Sequence, residues 1–383
     1  MAENAERLTE LWWIRLPQAA RRVAVRPVLV LVDGLFIAVW PRVAALLSPL
    51  ALILGLLFGA LHPGFGEVFS QSWPVLILAA LLGVFSGHLG ALFLVGFAFG
   101  DFFLFHREWA FRGSLISNLF NIRVPLLIEY GLLAFMTTGI ALATKSLLAQ
   151  LRPPQSLPRQ ARILLAIAGH FGLTLLFVYL WMQVVPILIR PVFTWPGGSP
   201  PVDAMEILQQ QGWPLLVIAG MASLGRMGLQ QMVARNVAWS AKLDRREAQL
   251  NETTPLVPLT ATVPLAARVA LTSLWSTLML AGMFEAWWDG LILLVVITIL
   301  QLARARALAP RALLPWARQI ERIPLPLRLA IGILVTSFVA RIALAPALAG
   351  TNSFRPILLL TVFALLVFYL LDPLRDEARP VRA

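Results

Sequence analysis

The sequence predicts an all-α polytopic integral membrane protein of about ten transmembrane helices with both termini cytoplasmic. Three observations predict it. Of 383 residues, 59% are hydrophobic and only 13% charged, where a soluble domain carries about 25% charged residues. Apolar runs long enough to cross a hydrocarbon core as helices recur along the chain. Lysine and arginine collect in the segments on one side of those runs, the bias that orients membrane proteins.

Residues 1–42 read as a cytoplasmic N-terminal region. Leu8, Leu11, Trp12 and Leu16 share one helical face opposite Glu6, Arg7 and Glu10, the pattern of an amphipathic helix lying in the membrane interface. Acidic and basic residues mix up to Arg26, and Asp33 and Gly34 interrupt the next apolar run, so no cleavable signal is expected.

The multi-span domain is expected over 43–371, opening with a span at 43–62. From Pro74 to Phe105 there are 32 apolar-rich residues. One straight helix of that length would measure about 48 Å against a core of about 30 Å. Two short helices, 74–87 and 89–105, turning at Ser86-Gly87-His88 fit better. The alternative keeps one tilted, broken helix here and makes 27–40 a span, which places Asp33 in mid-membrane at high cost.

Further spans are expected at 124–146, 163–187, 213–225, 264–284, 290–303, 329–347 and 355–371. The cytoplasmic loops are then 147–162, 226–263 and 304–328, and the tail is 372–383. The loop from Arg226 mixes charges of both signs and is expected to hold a short helix. Leu313, Trp316, Ala317 and Ile320, between Arg311, Arg318 and Arg322, repeat the surface-helix pattern. Pro186–Pro201 reads as a stiff, turn-rich connector.

This layout leaves Arg107, Arg112, Arg123, Arg190, Arg341 and Arg355 for the outer side and Arg268 at an inner boundary. Trp73, Trp109, Trp195, Trp213, Trp287 and Trp288 fall at predicted outer ends, where an indole sits well among headgroups. The expected location is a prokaryotic cytoplasmic (inner) membrane.

Net charge is +12, and Lys145 and Lys242 are the lysines. Because the arginines lie in short loops between apolar runs, the expected partners are membrane lipids, with anionic headgroups at the arginine-rich loops, and not nucleic acid. Protein partners or a homo-oligomer are also compatible with the surface helices. The chain has no cysteine, which excludes disulfides and thiolate metal sites. His-Glu-x-x-His, phosphate-loop and dinucleotide signatures are absent, so neither a metal nor a cofactor is expected.

Three short motifs resemble enzyme families. Ser86-Gly87-His88 resembles the Pro-Ser-Gly-His element of membrane lipid phosphatases, with Phe85 in place of the proline and Thr174 after His170 where that family has aspartate. Ser86 with His88-Leu89-Gly90 is similar to pieces of rhomboid proteases, with Val84 in place of a glycine. That resemblance implies a histidine on another helix, such as His170, because residues two apart on a helix point away from each other. Gly100-Asp101 resembles the Gly-x-Gly-Asp of intramembrane aspartyl proteases, with Ala98 in place of the first glycine, and implies a second aspartate. Each covers a few residues. Gly55 with Gly59, Gly83 with Gly87 and Gly96 with Gly100 are also small-xxx-small pairs that let helices approach closely, so the same stretch reads as a hairpin and packing surface.

Ionisable residues inside spans are expensive and mark candidate sites. Asp101, Glu129 and Arg341 map to outer halves of spans and His170 near the middle of one; these four are the candidate ion- or solute-binding residues. In one reading Glu129 or Asp101 binds a proton or cation in an outward cavity, with Arg341 as counter-charge. In the other, the acids pair with Arg107, Arg112 or Arg123 at the interface and Arg341 snorkels outward. The expected function is a transporter or permease-like protein for a small solute, with proton coupling through these acids. A non-catalytic scaffold or complex subunit is the alternative, and an intramembrane enzyme acting on lipid or peptide stands third.

Overall fold

The computed structural model describes residues 7–23, 33–61, 67–69, 72–105, 123–150, 158–195, 208–252, 263–284, 286–307 and 325–339, with 362–363 and 367. Their regular structure is entirely helical. Among the described residues, four helices are long and apolar enough to cross a membrane: Pro41–Leu61, Gly87–Leu104, Val124–Lys145 and Arg159–Thr194. The chain divides into two compact units, Met1–Thr262 and Val263–Ala383.

The first unit begins with a helical segment in which a π turn, Leu11–Arg15, leads into α1 (Leu16–Val23). Of the expected interfacial face, Leu8 and Leu11 are exposed, whereas Trp12 and Leu16 pack partly buried against the core and Trp13 is fully buried. A π turn carries an extra residue and so rotates the side chains around it relative to an α-helical face. Trp13 packs in a core with Phe36, Ala44, Leu89 and Leu92.

The short α2 (Leu35–Val39) stops at Trp40, whose φ of −131° and ψ of 70° lie outside the helical region. Pro41 follows and disfavours helical backbone at the residue before it, while its fixed φ suits the first turn of α3 (Pro41–Leu61).

Helix α4 (Trp73–Phe85) and helix α5 (Gly87–Phe99) meet at Ser86, which is extended with φ −149° and ψ 109°. The chain turns back here, because a Cβ placed on Gly90 would lie 2.7 Å from the Gly83 Cα. Seven residues of straight helix would separate these positions by about 10 Å. The break falls where the sequence puts it. After α5 a π turn, Gly100–Phe105, continues the helix.

Helices α3 and α5 run parallel in backbone contact. A Cβ on Gly55 would strike the Phe93 carbonyl, and one on Gly96 would strike the Leu52 carbonyl; Gly59 and Gly100 repeat the pair one turn on, against Phe97 and Leu56. The predicted small-residue faces therefore bury each other within one chain.

Helix α6 (Val124–Ala134), a π turn (Phe135–Gly139) and α7 (Ile140–Gln150) form one continuous helical stretch. The Thr137 backbone wedges against Gly83 and Gly90, where any Cβ would collide with its carbonyl. Helix α8 (Arg159–Leu188) contains Pro186 and is followed by α9 (Arg190–Thr194). This corrects the expected connector from 186, since helix persists to Thr194. Proline removes one backbone bond, but the ladder resumes past it, with Ile189 N–H donating to the Val185 carbonyl at 2.9 Å.

Helix α10 (Trp213–Arg235) also outruns its expected end at 225, so Arg226 lies inside a helix and not in a loop. Asn236 then breaks the chain with φ −105° and ψ 108°. Its Oδ1 accepts from the N–H groups of Ala238 and Trp239 at 3.0 and 3.2 Å, capping α11 (Val237–Glu252). This is the short helix expected in the 226–263 loop.

In the second unit, α12 (Leu265–Met279) is followed by a 3₁₀ turn at Ala281–Met283, α13 (Trp287–Ala307) and α14 (Leu325–Val339). Thr272 donates to the Gln301 side-chain oxygen between α12 and α13, a hydroxyl bond of the kind that joins helices in membranes. Asp289 accepts from the Ala286 N–H at 2.9 Å, at the start of α13. Arg341, the segment around Trp316 and the expected span 355–371 apart from residues 362, 363 and 367 lie outside the described residues.

Candidate functional site

Two buried polar clusters stand out in the first unit. One centres on Asp101, which sits in the π turn after α5 and is fully buried. Gly59 has no side chain to hold α3 away from the Asp101 backbone. From α6, the Tyr130 hydroxyl donates to Asp101 Oδ2 at 2.6 Å, at the short end of the hydroxyl–oxygen range. Phe97 meets the Tyr130 ring edge-on at a centroid distance of 6.5 Å. Glu129, next in the chain, is fully buried too.

The other cluster surrounds the α4–α5 break. Arg226 Nη1 on α10 donates to Asp33 Oδ2 at 2.6 Å and to the Phe85 carbonyl at 2.8 Å, the last carbonyl before Ser86. The Asp33 and Arg226 side chains are each 11% exposed. One turn earlier on α10, Ser223 Oγ lies 2.8 Å from His170 Nδ1. His88, fully buried, bonds Ser48 Oγ through Nε2 at 3.3 Å and stacks against Trp13. Trp13 Nε1 donates to the Ala44 carbonyl at 3.0 Å, and Arg246 Nε and Nη2 donate to the Trp13 carbonyl at 3.2 and 2.9 Å. These contacts tie the N-terminal segment, α3, α5 and α11 together.

The four sequence candidates do not form one site. Asp101 and Glu129 share the Tyr130 neighbourhood, whereas His170 belongs with Ser223 and Arg226. Ser48 beside His88 and Gly59 beside Asp101 are eleven residues apart on α3, a rise of about 16 Å. Arg341 lies outside the described residues.

Sequence reasoning missed the Asp33–Arg226 pair, treating Asp33 as a cost and Arg226 as a loop cation. The signal was present: each charge interrupts an apolar run, and opposite charges in apolar surroundings are expected to find each other. Trp13 and Arg246 carried no comparable signal.

Chemically, the Asp101 cluster offers two carboxyls and a phenol in apolar packing, a set suited to holding a proton or small cation. The Ser86 hydroxyl makes no hydrogen bond among the described residues, so neither histidine activates it as the protease-like reading requires. Among the described residues no group of three or more His, Asp or Glu side chains is placed to hold a metal ion. The fold and site thus define a helical protein with several apolar helices and buried charge. No family model, no curated protein and no solved structure matches the chain, and the functional argument rests on these residues.

Proposed function

We propose that this is a multi-pass protein of about ten spans in a cytoplasmic membrane, with both termini cytoplasmic and anionic headgroups against its arginine-rich loops. Its function is permease-like: it moves a small solute, coupled to a proton held at Asp101 and Glu129. The observation that carries this is the fully buried Asp101 bonded by Tyr130 at 2.6 Å beside the fully buried Glu129. Carboxyls in hydrocarbon are retained against a high desolvation cost, and ion or proton pathways are their commonest use. Support comes from the π turns at Gly100–Phe105 and Phe135–Gly139 on the two helical stretches that carry the acids, since such distortions collect at functional sites.

The test is difference infrared titration in lipid nanodiscs of wild type, Asp101→Asn and Glu129→Gln, with proton uptake into proteoliposomes as the second readout. A carboxyl band that behaves as buried and disappears in one variant, together with lost uptake in that variant, is the expected result. Two carboxyls that titrate as solvated groups would sink the reading.

A scaffold function is the second reading, and one observation favours it. The Arg246–Trp13, Trp13–Ala44 and Arg226–Asp33 contacts join elements distant in sequence, as a rigid platform requires. A scaffold shows no uptake in wild type, and both acid variants then change stability alone.

A further inference from the structure

We propose that the start of α3 and the N-terminal segment docked on it form a binding surface for one anionic phospholipid, its headgroup on Arg42 and an acyl chain along the exposed face of α3. The site rests on the membrane location proposed above, narrows the anionic-headgroup partner to one place, and lies outside the arginine-rich loops. Arg42, Leu46, Leu50, Ile53, Leu57 and Leu61 share one face of α3. All six are exposed, Leu46 by 66% and Leu61 by 77%. From Arg42 to Leu61 the helix rises about 28 Å, close to the hydrocarbon core of about 30 Å. With the apolar side chains in the acyl region, Arg42 therefore stands at the headgroup level. Trp40, two residues before it, is exposed too, at the depth where indoles collect.

The N-terminal segment borders this surface. The Thr9 hydroxyl donates to the Pro41 carbonyl at 3.3 Å, and Trp13 Nε1 donates to the Ala44 carbonyl at 3.0 Å. The turn that carries exposed Leu8 and Leu11 is thereby held against the first turn of α3. Charge then selects the lipid. Arg42 makes no hydrogen bond or ion pair among the described residues. The carboxylates of the neighbouring segments are matched already: Glu10 accepts two bonds from Arg15, at 3.0 and 2.9 Å, and Asp33 accepts one from Arg226 at 2.6 Å. A phosphodiester on a lipid of net negative charge completes Arg42. The ammonium of a zwitterionic headgroup finds no unmatched carboxylate among the described residues of these segments. A second copy of the chain fits less well, because a twofold contact through this face brings its Arg42 toward the first.

The full-length protein is reconstituted in nanodiscs of equal phosphatidylglycerol and phosphatidylcholine, and native mass spectrometry counts the lipids each chain retains. Wild type is expected to keep one phosphatidylglycerol after the other lipids are stripped. Arg42→Ala weakens that preference over phosphatidylcholine about fivefold, and Arg42→Lys keeps most of it. Because Arg42 is exposed and makes no bond, Arg42→Ala retains the wild-type thermal midpoint in nanodiscs of phosphatidylcholine alone. The triple variant Arg235→Ala, Lys242→Ala, Arg245→Ala tests the broader headgroup reading separately: it sheds loosely held phosphatidylglycerol and keeps the last one. Equal preference in wild type and Arg42→Ala overturns the site, and the loop reading then stands or falls on whether the triple variant sheds phosphatidylglycerol. A wild-type dimer that disappears in Arg42→Ala, with retained lipid unchanged, assigns the face to a second copy and overturns the lipid. If Arg42→Ala does not fold, wild type with phosphatidylglycerol bearing a photoreactive acyl chain decides. Crosslinks on 42–57 support the site, and crosslinks confined to other segments overturn it.

Discussion

The indole of Trp13 lies against the imidazole of His88, ring centroids 4.0 Å apart and planes 24° from parallel. The contact joins residues 75 positions apart, and the Trp13 N–H is bonded to the Ala44 carbonyl. Trp13→Ala removes a fully buried ring and should cost about 3–5 kcal/mol, read as a lower thermal midpoint in nanodiscs. Trp13→Phe keeps most of the ring and loses the hydrogen bond, so it should cost less. Equal midpoints for wild type and Trp13→Ala would show that the segment is not docked.

The parallel contact of α3 with α5 makes a sharp contrast between glycines. Gly55→Ala drives a methyl into the Phe93 carbonyl, a backbone atom that cannot rotate away, and should cost about 1–3 kcal/mol. Gly228→Ala on α10 meets nothing within 4 Å and should be neutral or stabilise by up to about 1 kcal/mol through helix propensity. Thermal midpoints of the two variants, measured side by side, check the packing; a harmless Gly55→Ala rules it out.

Asp33 and Arg226 are mostly withdrawn from solvent, so removing one leaves the other charged and poorly solvated. Asp33→Asn should cost about 3 kcal/mol. The double variant Asp33→Asn with Arg226→Gln should recover much of that, because no uncompensated charge remains. A double-mutant cycle in denaturant measures the coupling, and strictly additive costs would exclude the pair.

Asn236 caps α11 through two backbone N–H groups. Asn236→Ala should therefore cost about 1 kcal/mol, whereas Asn236→Asp should be close to neutral. Amide exchange over 237–240 reports the fraying directly; unchanged protection in Asn236→Ala would assign the break to another cause.

Much of the helical pattern was legible before the structure. The helices at 41–61, 124–150 and 159–188 coincide with apolar runs, because apolar length and proline-marked starts are local properties. The break at Ser86 was legible for the same reason: 32 apolar-rich residues exceed one span and Gly87 permits a turn. Where expectations ended too early, at Arg226 and Pro186, a charge and a proline were read as stops. Inside packed helices each is tolerated when its freed or charged groups find partners, as Arg226 does at Asp33.

The candidate site was legible in part. Asp101 and Glu129 were picked out by cost alone, since a carboxyl in an apolar run is conspicuous without any contact being known. Tyr130, which bonds Asp101 from α6, was not, because an aromatic in a span raises no alarm.

By itself the sequence determined the class of element and roughly where each begins, since hydropathy, glycine spacing and proline act within a few residues. Tertiary structure alone decided which charges are paired and which faces meet. Trp13 on His88, Arg246 on the Trp13 carbonyl and Asp33 on Arg226 each join positions at least 75 residues apart. Their net energy is the balance between the partners' mutual attraction and the cost of taking both out of water, a quantity that exists only once the chain has brought them into contact.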